Sequence, residues 1–213
     1  MNLWELPTSV IANGHEYPIR TDYRAVLDVL TALSDKDMTG DTPAETNYIQ
    51  SEIIRQIMFE DPDSIPDEDL EDAFKGVAEF IDMGVEKTDK PSPRVMDWEQ
   101  DATLIIPAVN RVVGREIRAD KYMHWWTFLS AYMEIGECTF THILYIRQKR
   151  ATGKKLEKWE QDDIRDNKAF VLLKDKLTET EKQEREEDEK ALKELLGKAV
   201  RVAHKVVIDT EIN

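Results

Sequence analysis

The chain has 213 residues, of which 44 are acidic and 29 basic, so that its formal net charge at pH 7 is −15. This excess disfavours a nucleic-acid-binding protein, because such proteins need a basic face to neutralise phosphates. A hydrophobic content of 41% with regular aliphatic spacing disfavours a wholly disordered chain. The longest apolar run, residues 104–109, is far shorter than the roughly 20 residues of a membrane-spanning helix, so no membrane partner is expected.

The compartment and domain organisation follow from the cysteine count and the length. One cysteine, Cys138, cannot form an intrachain disulfide and is compatible with a reducing compartment. The first residues lack the basic and apolar segments of a secretory signal. We therefore expect a soluble intracellular protein with one helical domain at residues 1–173 and a charged extension at residues 174–213.

The first half of the chain predicts a hairpin followed by three helices. Asn13 and Gly14 between two short apolar segments favour a type I′ turn and hence a β-hairpin. Asp22 is the expected N-cap of a first helix, and Thr42, followed by a proline, is the expected N-cap of a second. A third helix is expected from near Pro66, where apolar residues recur every three or four positions.

The second half predicts further helices. Residues 97–100 resemble a capping box and should open a helix that Pro107 kinks and Gly114 ends. The paired tryptophans begin a short helix that Gly136 should break, and another helix is expected over about 139–150.

The C-terminal part differs in character. Residues 178–190 contain seven acidic and three basic residues and no apolar side chain larger than threonine, which predicts a solvated helix or disorder. Apolar spacing returns at Leu192, Leu195 and Leu196, a short stripe suited to docking on a partner. The predicted fold class is therefore mostly α, with a helical domain, a short N-terminal β-hairpin and a charged C-terminal helical extension.

Trp125 and Trp126 are adjacent, so their side chains project about 100° apart on a helix and are not expected to face one core together. One should pack inside, and the other would lie at the helix edge, where an exposed tryptophan commonly anchors an interface. The favoured alternative is that neighbouring helices of the same domain cover both side chains.

A dense basic segment interrupts this acidic chain with Arg147, Lys149, Arg150, Lys154, Lys155 and Lys158. A local reversal of charge sign steers acidic partners towards a surface. The alternative, which we favour, is that these cations pair with the acidic residues immediately downstream.

Candidate catalytic and metal-binding residues are few. Cys138 and His142 stand four positions apart, but no further ligand or orienting group has suitable spacing. Glu134 and Glu137 are the best acid–base pair, although solvated surface carboxylates are the simpler interpretation. No phosphate-binding glycine loop or zinc-protease motif is present. We therefore predict no catalytic residue, no cofactor and no metal.

Four segments occur in order along residues 1–170: Tyr17-x-Ile19-x-Thr21-Asp22-Tyr23-Arg24, Asp97-x-Glu99-Gln100-Asp101-Ala102, His124-Trp125-Trp126-Thr127-Phe128-Leu129 and Gly153-Lys154-Lys155-Leu156-x-Lys158-Trp159. Together they resemble the siphophage tail-assembly chaperones, which are encoded close to the tape measure protein. The resemblance implies a non-catalytic protein that binds the tape measure protein and helps to recruit the tail tube (major tail) protein. It also implies action in the host cytoplasm and absence from the mature virion. The long tail after residue 175 departs from that family.

Two alternatives stay open. The protein could be a structural virion component, such as a tail-completion or connector protein, or, ranked lower, a small hydrolase that uses Glu134 and Glu137. Self-association is a further expectation, whereas nucleic acid is not an expected partner. The predicted partner-binding residues are Trp125, Trp126, Arg147, Lys149, Arg150, Lys154, Lys155, Leu192, Leu195 and Leu196.

Overall fold

The computed structural model describes residues 4–35, 38–40, 42–85 and 92–174. Over these residues the chain is mostly α-helical with one two-stranded antiparallel sheet near the N-terminus, which confirms the predicted fold class for this part. Lys174 is the last described residue, so the rest of the predicted charged extension, including Leu192, Leu195 and Leu196, lies outside it. No helix within the described part is long and apolar enough to cross a bilayer.

The hairpin forms where the sequence predicts it. Strand β1 (Ser9–Ala12) pairs with β2 (His15–Pro18). Asn13 and Gly14 have φ angles of 49° and 84°, the positive values that a two-residue type I′ turn requires. The buried face of β1 packs on the third helix so closely that a Cβ atom added to Gly76 would lie 2.9 Å from Cβ of Val10.

Three helices follow with the expected starts. Helix α1 (Tyr23–Leu33) begins after Asp22, whose side chain accepts from the amide of Arg24. Helix α2 (Pro43–Met58) begins after Thr42, whose hydroxyl accepts from the amide of Glu45. Helix α3 (Asp67–Ile81) starts directly after Pro66. The cap positions predicted from the sequence are therefore confirmed for α1 and α2, and the start near Pro66 for α3.

A buried carboxylate ties the hairpin to α3. Asp69, in the first turn of α3, accepts hydrogen bonds from Tyr17, Asn13 and His15. The Tyr17 hydroxyl, followed by the Asn13 and His15 side chains, lowers the pKa of Asp69 to about 2. In return the bond to Asp69 raises the pKa of Tyr17 to about 12. Side chains of the hairpin turn and of β2 thus fix the sheet to the helix.

Five more helices complete the described chain: α4 (Ala102–Val113), α5 (Trp125–Met133), α6 (Thr139–Ala151), α7 (Lys158–Asp166) and α8 (Lys168–Val171). Single 3₁₀ turns occupy Pro62–Ser64 and Ile117–Ala119. Gly114 ends α4 with a φ of 77°, as expected. Helix α5 ends earlier than predicted, at Met133 rather than at Gly136.

The predicted start of α4 is wrong. Asp97 accepts from the amides of Glu99 and Gln100, at 3.1 and 2.8 Å, but these bonds close a turn, and the helix begins only at Ala102. The same side-chain bonds serve a helix cap and an isolated turn, so the sequence pattern fits both. Once started, α4 continues through Pro107 to Val113.

The core lies between the hairpin and helices α1, α3, α4 and α5. Its fully enclosed side chains include Val26, Val77, Phe80, Val109, Trp125 and Phe128. A smaller apolar cluster joins α6 to α8 through Ile143, Ile146 and Val171. This second cluster supports the part of the chain that carries the basic segment.

Candidate partner-binding face

The two adjacent tryptophans are both buried, with 1% of Trp125 and 3% of Trp126 exposed. Trp125 donates its indole N–H to the carbonyl of Ile81 at 2.9 Å, and Trp126 donates to the carbonyl of Phe80 at 2.8 Å. These carbonyls end α3, where the last carbonyls of a helix lack an amide four residues further on, although that of Phe80 also accepts from the amide of Met83. The expectation that the two side chains could not share one core is therefore wrong.

His124 explains how both indoles reach the same helix end. Its Nδ1 atom accepts from the amide of Trp126 at 3.0 Å and so caps α5. Because Nδ1 accepts, the ring proton lies on Nε2, which donates to the carbonyl of Pro7 at 2.9 Å. The first turn of α5 is thus enclosed between the N-terminal segment and the end of α3, and neighbouring elements cover both tryptophans.

Of the four segments that carry the family resemblance, here called the signature segments, the first and the third bond to each other. The carboxylate of Asp22 accepts from the amide of Met123 at 3.0 Å, and the amide of Trp125 donates to the carbonyl of Thr21 at 2.7 Å. Arg24 bonds the same carboxylate and extends to the carbonyl of Asp120. These residues are therefore occupied in joining α1 to α5.

The second signature segment holds Arg147. Its guanidinium forms two parallel bonds to Asp101, at 2.7 and 2.8 Å, and both side chains are almost fully buried. The remaining N–H groups of Arg147 donate to the carbonyls of Val95, Phe170 and Val171. All five donors of the guanidinium are therefore satisfied inside the fold. This use corrects the assignment of Arg147 to a partner-binding surface.

Gln100 fastens the end of the described chain next to this pair. Its side-chain amide donates to the carbonyl of Leu172 at 2.7 Å, and its carbonyl oxygen accepts from the amide of Lys174 at 2.9 Å. The segment after α8 is therefore bound to the turn that precedes α4.

Helices α6 and α7 meet along a polar seam. Lys149 bonds both carboxylate oxygens of Glu160 at 2.7 Å, and Glu160 has no exposed surface. Burial raises the pKa of this carboxyl, but the bonds from Lys149 and the amide of Glu157 outweigh it, and the pKa is lowered overall. Lys149 therefore pairs with a downstream acidic residue, as the favoured interpretation of the basic segment expects.

The seam also positions an aromatic ring. His142 bonds Asp163 at 2.9 Å and stacks on Trp159, with ring centroids 5.2 Å apart and planes inclined by 27°. Trp159 still exposes 51% of its surface, and Tyr145, one turn along α6, exposes 55%. Both rings therefore lie at the surface beside the basic segment.

The remaining cations of the segment are exposed, and none of the four forms an ion pair with a carboxylate in the part of the chain that the structure describes. They lie at the end of α6, in the loop that follows it and at the first residue of α7. We define the basic–aromatic face as these four residues and the two neighbouring rings: Tyr145, Arg150, Lys154, Lys155, Lys158 and Trp159. Sequence reasoning did not single out Tyr145, because its exposure depends on how α6 packs.

The predicted catalytic candidates do not converge. Glu134 and Glu137 are both exposed, and the backbone carbonyl of Glu137 accepts from Arg111. His142 is engaged with Asp163, and Cys138 is the residue that precedes α6. Among the described residues, no group of three or more His, Cys, Asp or Glu side chains could hold a metal ion.

Comparison with known proteins places the chain in a family. Residues 3–173, which include all four signature segments and every described residue of the basic–aromatic face, match the model of the family described as Bacteriophage Gp15 protein. Comparisons with curated proteins and with solved structures give no match. A family model that covers most of the chain is decisive for membership, and this protein therefore belongs to the Bacteriophage Gp15 protein family.

Proposed function

We propose that the protein is a non-catalytic tail-assembly chaperone that binds the phage tape measure protein and helps to recruit the tail tube protein. It would act in the cytoplasm of the infected host and be absent from the finished particle. No cofactor or metal takes part in this function.

The observation that carries the proposal is the basic–aromatic face. The signature residues Asp22, Asp101 and His124 have their bonds inside the fold, whereas the cations of the face pair with no carboxylate of the described residues and its two rings remain about half exposed. A surface that combines charge with rigid aromatic rings suits recognition of another protein. Membership of a bacteriophage family and the four signature segments connect this surface to phage morphogenesis.

The charge distribution supports the same function. A net charge of −15 keeps a protein soluble and lets it keep a less soluble client in solution. The family resemblance implies a client of this kind, a long helical tape measure protein that is prone to aggregate until the tail tube protein polymerises around it. A carrier of this kind needs exposed contact surfaces and no reactive groups.

The first test is co-expression with the tape measure protein of the same phage, followed by size-exclusion chromatography with light scattering. We expect a soluble complex with several copies of this chain per client. A client that stays insoluble while this protein elutes alone would contradict the chaperone function.

Mass spectrometry of purified phage particles separates the chaperone from a structural component. A chaperone that leaves when the tube polymerises should be missing from particles in which the tube protein is abundant. Stoichiometric recovery of this chain from tails would instead support a tail-completion or connector protein.

A further inference from the structure

The cations of the basic–aromatic face differ from most other basic side chains of the described chain. Elsewhere, many arginines and lysines lie against a carboxylate, as in the pairs Arg24–Asp22, Lys75–Glu71, Arg115–Asp120, Arg118–Glu116 and Arg165–Asp162, and the exposed Arg20 and Arg111 donate to backbone carbonyls. In this acidic chain, four exposed cations that meet no described carboxylate leave a local positive charge.

Helix stability does not explain this charge. Arg150 lies in the last turn of α6, where a cation interacts favourably with the helix dipole. Lys154 and Lys155 lie beyond that helix, and Lys158 is the first residue of α7, the end at which the dipole disfavours a cation. At least three of the four cations are therefore placed without benefit to the helices that carry them.

The aromatic part of the face is held in place. Trp159 rests one side of its ring on His142, which is itself fixed by Asp163. Tyr145 lies beneath the ammonium group of Lys149, 5.3 Å from the ring centroid, and Lys149 is fixed by Glu160. Rings restrained in this way lose little freedom when a partner covers them, so they are effective anchors for an apolar side chain.

Charge complementarity selects the partner. We propose that the basic–aromatic face binds an acidic segment of a partner protein, whose carboxylates meet Arg150, Lys154, Lys155 and Lys158 and whose apolar side chains pack on Tyr145 and Trp159. A nucleic acid would also offer negative charge, but its phosphates continue along the whole polymer and would extend beyond the face over a chain with a net charge of −15, whereas a short acidic segment can end where the face ends. The inference rests on the proposed function only in taking the tape measure protein as the bearer of this segment.

The test uses the full chain and a fluorescently labelled synthetic peptide of glutamate and glutamine with two leucines one helical turn apart. Lys155→Glu should weaken binding about tenfold, whereas Lys121→Glu, an equal charge change at an exposed lysine outside the face, should leave it nearly unchanged. Trp159→Ala should weaken binding of the peptide that contains leucines, but it should not weaken binding of a version with alanine in place of both leucines. Sodium chloride should weaken binding to the wild type.

Several results would overturn the inference. These are equal losses for Lys155→Glu and Lys121→Glu, equal affinity for a peptide with every glutamate changed to lysine, or tighter binding of a single-stranded RNA oligonucleotide. Circular dichroism melting of each variant establishes that a loss of binding is not a loss of folding.

The inference and the proposed function fail separately. If Lys154→Glu/Lys155→Glu retains the tape measure protein in a soluble complex as well as the wild type does, the inference is wrong and the chaperone function stands. If the wild type binds the acidic peptide but leaves the tape measure protein insoluble, the proposed chaperone function is wrong, whereas the proposed binding of acidic segments by the basic–aromatic face is supported.

Discussion

Arg147 and Asp101, 46 residues apart in sequence, face each other through two parallel hydrogen bonds of 2.7 and 2.8 Å, with 4% and 1% of their side chains exposed. A guanidinium buried this deeply needs a counter-charge and acceptors for all its N–H groups, which the carboxylate and the three carbonyls around it supply. The pair connects α6 to the turn before α4 and to the end of α8. The pair thereby holds in place the part of α6 from which the exposed basic residues continue.

Arg147→Ala should therefore destabilise the protein strongly. Removing the guanidinium leaves Asp101 buried without its counter-charge, which costs about 3–5 kcal/mol in the free energy of unfolding. Urea unfolding monitored by circular dichroism measures this loss. Arg165→Ala, which breaks exposed pairs with Asp162 and Asp166, is the matched control and should have a much smaller effect. Similar losses in the two variants would show that the buried pair contributes little.

The tryptophan pair predicts an unequal effect of two similar substitutions. Trp125→Phe removes the indole donor of the Ile81 carbonyl, which has no other donor among the described residues. The substitution should therefore lower the free energy of unfolding by about 1–3 kcal/mol. Trp126→Phe should cost less, because the Phe80 carbonyl still accepts from the amide of Met83.

Thermal unfolding of both variants, with Trp159→Phe as an exposed control, checks this order. A smaller loss for Trp125→Phe than for Trp126→Phe would contradict the assigned role of the α3 carbonyls.

Asp69 should make stability depend on acidic pH. Because its pKa is lowered from 3.8 to about 2 in the folded protein, its contribution is fully present above pH 3.8 and is lost as the pH falls towards 2. Asp69→Asn should lower the urea midpoint at neutral pH and flatten its decrease across this interval.

Asp72→Asn, at an exposed position on the same helix, should keep the dependence of the wild type. If the urea midpoint of Asp69→Asn falls with decreasing pH as steeply as that of the wild type, another carboxyl group governs the loss of stability in acid.

The two exposed carboxylates near the end of α5 test the absence of catalysis. Glu134→Ala/Glu137→Ala should leave the burst size of the phage unchanged, because neither side chain has a role in the proposed function. One-step growth of phage that carries the double substitution is the measurement. Phage carrying Lys154→Glu/Lys155→Glu serves as the positive control and should show a reduced burst. A reduced burst size for Glu134→Ala/Glu137→Ala would instead support the alternative that the protein is a hydrolase.

The C-terminal apolar stripe, which lies outside the described residues, remains a prediction. Leu195→Asp/Leu196→Asp should weaken the complex with the tape measure protein, because charge on a docking stripe opposes its burial. Val206→Asp/Val207→Asp adds the same charge beyond the stripe and should have a smaller effect. Pull-down from the co-expressed complex measures both. Equal retention of client by the two variants would exclude the stripe as a docking element.

Local signals predicted the fold well where chemistry acts over a few residues. Asn13 and Gly14 specify the hairpin, and Asp22 and Thr42 specify helix starts, because each forms its bonds with close neighbours. Asp97 shows where prediction from local sequence fails, because its bonds to close neighbours suit either a helix cap or an isolated turn. The choice depends on Asp101, whose carboxylate accepts from the amide of Asp97 and from Arg147.

The candidate site was less predictable for the same physical reason. The basic segment was visible in the sequence, but its division into buried Arg147, paired Lys149 and exposed Lys154 and Lys155 depends on distant elements. The tryptophans illustrate this most clearly, because the carbonyl that accepts from the indole of Trp125 ends α3, and α4 lies between α3 and the helix that carries Trp125. Spacing along one helix cannot reveal a partner of that kind.

The long-range bonds around Asp22 have a consequence for the order of events on the ribosome. The hairpin and α1 are synthesised first, yet their polar partners at Met123 and His124 lie 101 and 117 positions from Asp22 and Pro7. The N-terminal segment therefore cannot complete its native bonds until α5 has left the exit tunnel. A ribosome that stalls before α5 would leave Pro7 and the start of α1 without these partners, although the hairpin can already pack on α3, and this part of the nascent chain would be open to the host's own chaperones and proteases.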